Sequence, residues 1–575
     1  MCGIHLLVER GLTSKADASP RAEIPAWLKR RGPDHCGTAV VVQQSEDGLG
    51  PCTATLQASV LNMRHELVPQ PVPIHDDNDN SNDNHNDSDS AEEVYLAWNG
   101  ECYQLQTPSS GHTQDVWSQE QSDTTIVANL IRNAVAQSQK VGSCCMLDQL
   151  SAVMARLVNA EFALVLLTAT AVYYARDSFG RRSLLVNDAE CSDTATVNDT
   201  ISPTTASATR TRTSATTWQL SSVASATGDL VWKEVEPGRV FSYTLQTGET
   251  RSSAPWQISL RQLPRTVATS TATSVATDNN VLSMEQASCQ LGSLLLQAVR
   301  RRLTGPAAIL FSGGLDSVVL AALALQLTSN DDDDDTLISL INISFVNDKK
   351  SDNNPVSADT QAALASYQDL QRLYPDRHFQ FQQIQAEWSE IQAAEEHIQA
   401  LIHPKTTTMD VNIATALWFA AKAASGRVLL TGLGADEQMG GYGRHRKAWD
   451  RGGADQLRQE LDLDMGRLWD RNLGRDDRVL SDTSKEARFP FLDPNVVNFL
   501  SSQPLDNIVD YSLPPGQGDK RILRLVAERL GLQSASTAVK RAIQFGSRIA
   551  HVSDKKRFGS RRKAAGGASL TSTKS

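Results

Sequence analysis

The stretch that decides the fold runs Ala307-Ala308-Ile309-Leu310-Phe311-Ser312-Gly313-Gly314-Leu315-Asp316-Ser317. Ala307 to Phe311 reads as a short buried strand, and Val318 to Leu327 reads as a helix following at once. Two glycines between them let the backbone wrap an anion, and the helix N-terminus favours negative charge. Working outward, Met284 to Arg302 carries apolar residues at helical spacing. Leu337 to Val346 is a second strand, residues 359 to 373 a further helix, and Arg427 to Leu430 a third strand. Strand alternating with helix predicts a doubly wound parallel α/β sheet, with ligands at the carboxyl ends of its strands.

The loop at 312–317 is not the Gly-x4-Gly-Lys loop that cradles a transferred terminal phosphate. It matches the pyrophosphate loop of ligases that adenylylate a substrate, and Asp316 is placed to hold Mg²⁺ beside the pyrophosphate. Thr431-Gly432-Leu433-Gly434-Ala435-Asp436-Glu437 and Gly440-Gly441-Tyr442 follow the third strand. Glu486-Ala487-Arg488-Phe489-Pro490-Phe491-Leu492-Asp493 and Lys520-Arg521-Ile522-Leu523-Arg524 come after them. In this order the set resembles the synthetase domain of the asparagine synthetase family. The resemblance implies that Ser312, Gly313, Gly314, Asp316 and Ser317 bind ATP pyrophosphate and Mg²⁺. Thr431 and Gly432 would lie by the nucleotide, Asp436 near the metal or substrate, and Lys520 on the departing pyrophosphate. Phe311 and Phe345 would line the adenine pocket. The runs Gly443-Arg444-His445-Arg446, Arg471 to Val479 and Lys540 to Arg548 look like a divergent branch of that family.

The other end of the chain carries a second chemistry. Cys2 follows Met1. With Met1 removed, Cys2 offers a thiol and an α-amino group of pKa about 8, nucleophile and base in one residue. Arg31-Gly32-Pro33-Asp34 comes next, then Asn62-Met63-Arg64-His65 before Gln70-Pro71. Trp98-Asn99-Gly100-Glu101 and Ser122-Asp123-Thr124 follow. This ordered set resembles the glutaminase domain of class II glutamine amidotransferases and implies an αββα N-terminal-nucleophile sandwich. By that resemblance Cys2 attacks glutamine, and the Asn99 amide and Gly100 N–H receive the oxyanion. Arg64 would pair with the substrate carboxylate, Asp123 with its ammonium, and Glu101 would support the same end. Asp177-x-x-Gly180-Arg181-Arg182 is read as a structural turn.

The expected organisation is a glutaminase domain over 1–255, a linker over 256–282, an ATP-binding domain over 283–554 and a basic disordered tail over 555–575. In the first domain, Ala163 to Ala169 and Val172 to Arg176 read as neighbouring strands, and Trp232 to Leu245, with Pro237-Gly238, reads as a hairpin. Residues 76–90, 187–217, 264–280 and Asp331 to Asp335 read as solvated insertions or linkers, too polar or too small to offset ordering entropy.

Composition sets outer limits. The chain has 575 residues, more than one core usually supports. Lys+Arg 55 against Asp+Glu 66 leaves a net charge of −11, which disfavours nucleic acid as a partner. No run approaches the roughly 18 apolar residues of a membrane span, and the start lacks a secretory pattern. The 8 cysteines show no Cys-x-x-Cys spacing, so the expectation is a reducing, cytoplasmic setting without structural zinc.

The function implied is glutamine-dependent asparagine synthesis: glutamine hydrolysis at Cys2, ATP-dependent adenylation of aspartate, and amidation by ammonia. The substrates are small molecules, the cofactors ATP and Mg²⁺, and a homodimer is compatible with the family. One departure counts. Asparagine synthetases carry Glu where this chain has Leu433, a Glu thought to assist ammonia attack. Losing a positioned base costs about 10²–10⁴ in rate. Two alternatives therefore stand beside the first reading: an amide ligase for another carboxylate, and a non-enzymatic member that keeps the fold as a ligand sensor or assembly partner.

Overall fold

The computed structural model describes residues 2–10, 25–43, 51–63, 66–74, 93–107, 111–117, 121–141, 146–187, 217–224, 231–256, 282–328, 337–347 and 356–552. The insertions at 76–90 and 331–335, the segment 264–280, nearly all of 187–217, Arg64 and the tail lie outside the described residues. The chain forms two compact units, Met1–Ser259 and Leu260–Ser575. No helix among the described residues is long and apolar enough to cross a membrane.

In the first unit the elements are β1 (Gly3–Arg10), α1 (Ala26–Arg31), β2 (His35–Gln43), β3 (Cys52–Val60), β4 (Val72–Pro73), β5 (Tyr95–Gln106) and β6 (Thr113–Asp115). Then come α2 (Asp123–Val141), α3 (Met146–Arg156), β7 (Asn159–Leu167), β8 (Ala171–Arg176), β9 (Leu185–Asn187), β10 (Trp218–Ser221), β11 (Trp232–Glu234), β12 (Val240–Thr244) and β13 (Thr250–Ser252). Two antiparallel sheets result. One has the order β11-β9-β10-β1-β3-β2, and the other runs β13-β12-β8-β7-β5-β4 with β6 on β5.

The period of two in these strands dictates the layers. Ile4, Leu6 and Val8 of β1 meet Ala97 of β5 and Ala163, Val165 and Leu167 of β7 between the sheets. The alternate residues Leu96, Trp98, Phe162, Leu164 and Leu166 face outward, onto Val127 and Ile131 of α2 and Leu150 and Met154 of α3. β7 is covered on both faces, which is why all nine of its residues are buried. α1 packs on β1 and β3, across the first sheet. The layering is αββα, with one short helix on one side among the described residues.

Trp232 to Leu245 is not a hairpin. β11 pairs with β9 in one sheet, and β12 pairs with β8 and β13 in the other. Pro237-Gly238 is a corner between sheets, with Gly238 at φ +76. The turn signal is local, whereas the pairing partner is set by which sheet has an open edge. The strands over 159–167 and 171–176 do pair, antiparallel, as neighbours. Trp256 belongs to this unit: its indole stacks on Phe162 at 6.4 Å and donates to Ser178 Oγ at 2.9 Å.

The second unit contains α4 (Met284–Arg302), β14 (Ala307–Leu310), α5 (Leu315–Leu327), β15 (Ile338–Val346), α6 (Ala358–Leu373), β16 (Phe379–Glu387), α7 (Trp388–Ile402), α8 (Thr408–Ala423) and β17 (Val428–Leu430). α9 (Ala435–Gln438), α10 (Gly443–Leu468), α11 (Gly474–Ser481), β18 (Glu486–Arg488), α12 (Pro494–Ser502), α13 (Leu505–Ile508) and α14 (Arg521–Arg529) follow. All five strands are parallel, in the order β16-β15-β14-β17-β18. The chain winds outward from β14 through β15 to β16, then returns to the other side for β17 and β18. The switch point is therefore between β14 and β17, where sheets of this kind open a crevice at their carboxyl ends.

α5 is apolar nearly all round, and every residue from Val318 to Leu325 is buried. It packs against α4 and α14. A Ser283 capping box starts α4, its Oγ accepting from Gln286 N–H at 3.3 Å. The buried Asp493 carboxylate ties the other end of α4 through Arg301 at 2.9 Å and Arg302 at 2.7 Å.

Candidate functional site

At the start of β1 the Cys2 N–H donates to Asn99 Oδ1 at 3.1 Å. This fixes the orientation of the Asn99 amide, and its Nδ2, buried, has no hydrogen-bond partner among the described residues. An unpaired buried donor costs about 1–3 kcal/mol, so one next to a nucleophile points to a ligand oxygen. Arg31, fully buried at the end of α1, donates Nε to the Cys2 carbonyl at 3.4 Å. Gln70 Nε2 lies 4.0 Å from Cys2 Sγ.

Gly100 follows Asn99 on β5. A Cβ there would lie 2.4 Å from the Glu161 carbonyl oxygen and 2.6 Å from Phe162 Cβ. The glycine is demanded first by the neighbouring strand β7, not by a ligand alone. Gly100→Ala should therefore lower unfolding stability by about 1–3 kcal/mol. A thermal melt checks this, and an unchanged midpoint would show that β7 relaxes freely.

The other residues expected at the glutamine end are placed differently. Asp123 opens α2, and its Oδ2 accepts from the Trp98 indole at 3.4 Å and from Cys102 N–H at 3.3 Å. It sits on the helix-facing side of β5, whereas Cys2 meets Asn99. Glu101 is buried and faces Glu161 across the β5–β7 ladder. Asp177-x-x-Gly180-Arg181-Arg182 is a structural turn. The Asp177 carboxylate accepts from Phe162, Phe179 and Arg181 N–H groups at 3.0–3.1 Å, and Glu161 lies 3.7 Å from Arg181 and 3.4 Å from Arg182.

In the second unit the loop 311–314 leaves β14 at the switch point. Its carbonyls are held from behind: Asn342 Nδ2 donates to Phe311 O at 2.9 Å, and Ser366 Oγ donates to Gly313 O at 3.3 Å. Thr360 Oγ1 in turn donates to Asn342 Oδ1 at 2.8 Å. Gly313 has φ +74, and a Cβ there would lie 2.1 Å from Ala363 N, so only glycine fits under α6. Ser312 Oγ accepts from Gly314 N–H at 3.3 Å, and Ser317 Oγ donates to Gly314 O at 3.1 Å.

Across the mouth runs a chain of alternating charge. Lys520 Nζ lies 2.7 Å from both Asp316 oxygens and 2.6 Å from Asp436 Oδ1. Lys540 Nζ lies 2.6 Å from Asp436 Oδ2. Lys520 caps α14 from the left-handed region, φ 51 and ψ 36, with its N–H on Met439 O. Burial opposes ionisation of Asp436, but the Lys520 and Lys540 ammoniums hold it well below the usual carboxylate range. Lys540 is held up, against burial, by Asp436 and Asp316. Glu437 goes the other way, pushed up by burial and by Asp436, while Tyr442 donates its hydroxyl to it at 2.6 Å.

These residues fit ATP and Mg²⁺ on their own chemistry. Two carboxylates offer hard oxygen donors, two ammoniums face the loop, and helix α5 points its N-terminus at the same place. Leu433 is half-buried between Thr431 and Gly434, its N–H on Thr431 Oγ1 at 3.4 Å. Phe311 and Phe345 are fully buried core residues, meeting the rings of Phe381 at 6.3 Å and Phe419 at 6.0 Å. Their burial makes them supports of β14 and β15 rather than open pocket walls.

Sequence reasoning left out Lys540, although it stands in the run Lys540 to Arg548. Nothing in a lone lysine twenty positions past Lys520 announces a partner at Asp436. Asp359, at the start of α6, was also missed. Burial raises its carboxyl to about 7, despite Lys540 and Arg541 nearby. A carboxyl raised on folding contributes stability at low pH that is lost as pH climbs toward the raised value. Asp359→Asn should thus gain on the wild type between pH 4 and pH 8, by up to roughly 4 kcal/mol. Melting midpoints across that range check it; a constant difference would rule it out.

A glycine-rich loop at the switch point of a parallel sheet in one unit, and an αββα sandwich with Cys2 at the start of its first strand in the other, define a two-part protein with a nucleotide-binding-type α/β half. Residues 290–454 and 450–551 match the family described as Asparagine synthase. That match lies within the second unit and takes in a little under half of the chain. It is similar to asparagine synthetase domain-containing protein 1 of Mus musculus, 40% identical over 289 residues, covering 42% of this chain and 46% of the relative. The human protein of that name is 38% identical over 293 residues, covering 42% and 45%. An asparagine synthetase domain-containing protein of Saccharomyces cerevisiae is 31% identical over 301 residues, covering 48% and 55%. The chain thus spans about half the length of the curated relatives it matches.

Proposed function

We propose that the protein is a glutamine-dependent, ATP-consuming amide ligase that takes nitrogen from glutamine at Cys2 and forms the amide of a small carboxylate, aspartate first among them. The observation that carries this is the Asp316–Lys520–Asp436–Lys540 chain at the mouth of the 311–314 loop. Two acids, Asp436 buried and Asp316 half-buried, and two ammoniums have no structural need to meet at a switch point, and they suit phosphates with a divalent cation.

At the first site the freed α-amino group of Cys2 takes the thiol proton. The thiolate attacks the glutamine carboxamide, and the oxyanion enters reach of Asn99 Nδ2 and Gly100 N–H. Asn99 Oδ1 orients the Cys2 nitrogen at the same time. Arg64, Glu101 and Asp123 would select the amino-acid end of glutamine. At the second site the N–H groups of the loop 312–317 receive phosphate oxygens. Asp316 and Asp436 would hold Mg²⁺, which neutralises phosphate charge when bound. Lys520 and Lys540, which hold these carboxylates, would also be at hand for the charge of the departing pyrophosphate. Ammonia is the nucleophile on the activated carboxylate.

Leu433 favours a second reading, in which the same ligase chemistry serves another carboxylate. A coupled assay on protein shown by mass spectrometry to lack Met1 separates the two. Supplied with glutamine, aspartate, ATP and Mg²⁺, it should yield glutamate, asparagine, AMP and pyrophosphate in step. Glutamate alone, with ATP–pyrophosphate exchange driven by a different acid, would select the second reading. Neither glutamate nor exchange would remove both.

A further inference from the structure

We propose that Gln70 is a catalytic residue of the Cys2 site, its side-chain amide donating to the Cys2 sulfur and stabilising the thiolate that attacks. The inference rests on the reading of Cys2 as nucleophile.

Gln70 is 1% exposed, and its surroundings leave its amide one orientation. Oε1 accepts the Trp98 N–H at 2.7 Å, so a flip would set an NH₂ against an N–H. Nε2 is therefore directed away from β5, to a point 4.0 Å from Cys2 Sγ. The backbone is pinned as well: a Cβ on Gly37 would lie 2.3 Å from the Gln70 carbonyl oxygen, so β2 is pressed against this residue. Neither constraint involves Asn99, whose Oδ1 is on the Cys2 nitrogen. The two amides thus divide the site. Asn99 holds the nitrogen and presents Nδ2 to the incoming oxygen, while Gln70 addresses the sulfur.

A donor aimed at sulfur matters because Cys2 is itself buried at 9% exposure, and burial disfavours the thiolate. The step is a proton transfer: the S–H bond of Cys2 breaks, an N–H bond forms on its α-amino group, and the electron pair stays on sulfur. The N–H of Gln70 stabilises that pair without neutralising it. A cation in the same place would lower the thiol pKa at a greater cost in nucleophilicity. When the C–S bond forms, the pair leaves for carbon, and the Gln70 donor is free to follow the sulfur back when the thiolate departs.

The test is the pH dependence of Cys2 alkylation by iodoacetamide, read by mass spectrometry of the N-terminal peptide from Met1-free protein. Gln70→Met removes the donor at nearly constant volume, and Gln70→Asn withdraws it by one methylene. Both should move the alkylation midpoint up by about one pH unit and slow alkylation at pH 7 about tenfold. Glutamate release should fall through kcat, with KM for glutamine changed by no more than about twofold. A merely structural role would reduce the folded fraction and leave the midpoint where it was. Folded variants with an unmoved midpoint overturn the proposal. In the wild type labelled with ¹⁵N-glutamine, the Gln70 amide resonance should titrate with the same midpoint. A flat resonance overturns the proposal even if neither variant folds. Alkylation needs no substrate, so a wild type that shifts as described yet releases no glutamate would sink the glutaminase reading and leave Gln70 in place.

Discussion

In the Lys520→Met protein, ATP-dependent amide formation should fall about 10²–10³-fold while glutamate release at Cys2 continues. Lys520 is 2% exposed and holds Asp316 and Asp436 on one nitrogen. On the proposed reading, removing it takes a point charge from the developing pyrophosphate, and it leaves buried Asp436 paired with Lys540 and half-buried Asp316 without its Lys520 contact. Breaking a buried pair in this way costs roughly 3–5 kcal/mol, so the second unit should also melt earlier. Calorimetry and ATP–pyrophosphate exchange on the same preparation separate the two losses. Exchange at the wild-type rate would show that the cluster is not where the nucleotide reacts. Lys520→Arg should not rescue fully, because a guanidinium fork does not reproduce a compact ammonium shared by two carboxylates.

The second large effect belongs to Cys2. Cys2→Ala should lower glutamate release at least about 10⁴-fold, since no other group near Asn99 among the described residues offers both nucleophile and base. Amide formation should survive when ammonium salt replaces glutamine, because in the proposed reaction the second site takes free ammonia whatever its source. Asn99→Ala should be milder, about 10²–10³-fold, as the loss of one oxyanion donor. Initial rates with glutamine and with ammonium, measured side by side, check all three statements. Glutamate release persisting in the Cys2→Ala protein would end the nucleophile reading.

Much of the second unit was legible because its signals are local. A five-residue apolar strand, two glycines and a long apolar helix leave few other folds for 307–327, and the observed β14 and α5 differ from that reading only by a few residues at their ends. The loops at 312–317 and 431–437 stand at the carboxyl ends of β14 and β17, as winding requires. In the first unit β7 and β8 were visible as neighbours, yet Trp232 to Leu245 was misread. Pro237-Gly238 turns the chain equally well within a sheet or between two.

The site was harder to read where partners are distant in sequence. Gln70 reads only as the residue before Pro71 until β5 places Trp98 N–H on its oxygen and Cys2 beside its nitrogen. Lys540 is one basic residue among several until Asp436 meets it. Phe311 and Phe345, apolar and next to motif residues, look like pocket walls from sequence, but neighbouring strands and α8 bury them.

By itself the sequence determined the strand–helix alternation of the parallel sheet, the loop with its two glycines and the replacement at Leu433. Those are properties of residue order, backbone freedom and chemical type, all carried within a few positions. Tertiary structure alone decided which carboxylate each lysine meets, that Gly100 yields to β7 before any ligand, and that Gln70 faces sulfur. Each depends on contacts between residues 20 or more positions apart, whose distances are set by how sheets and helices stack rather than by any local preference.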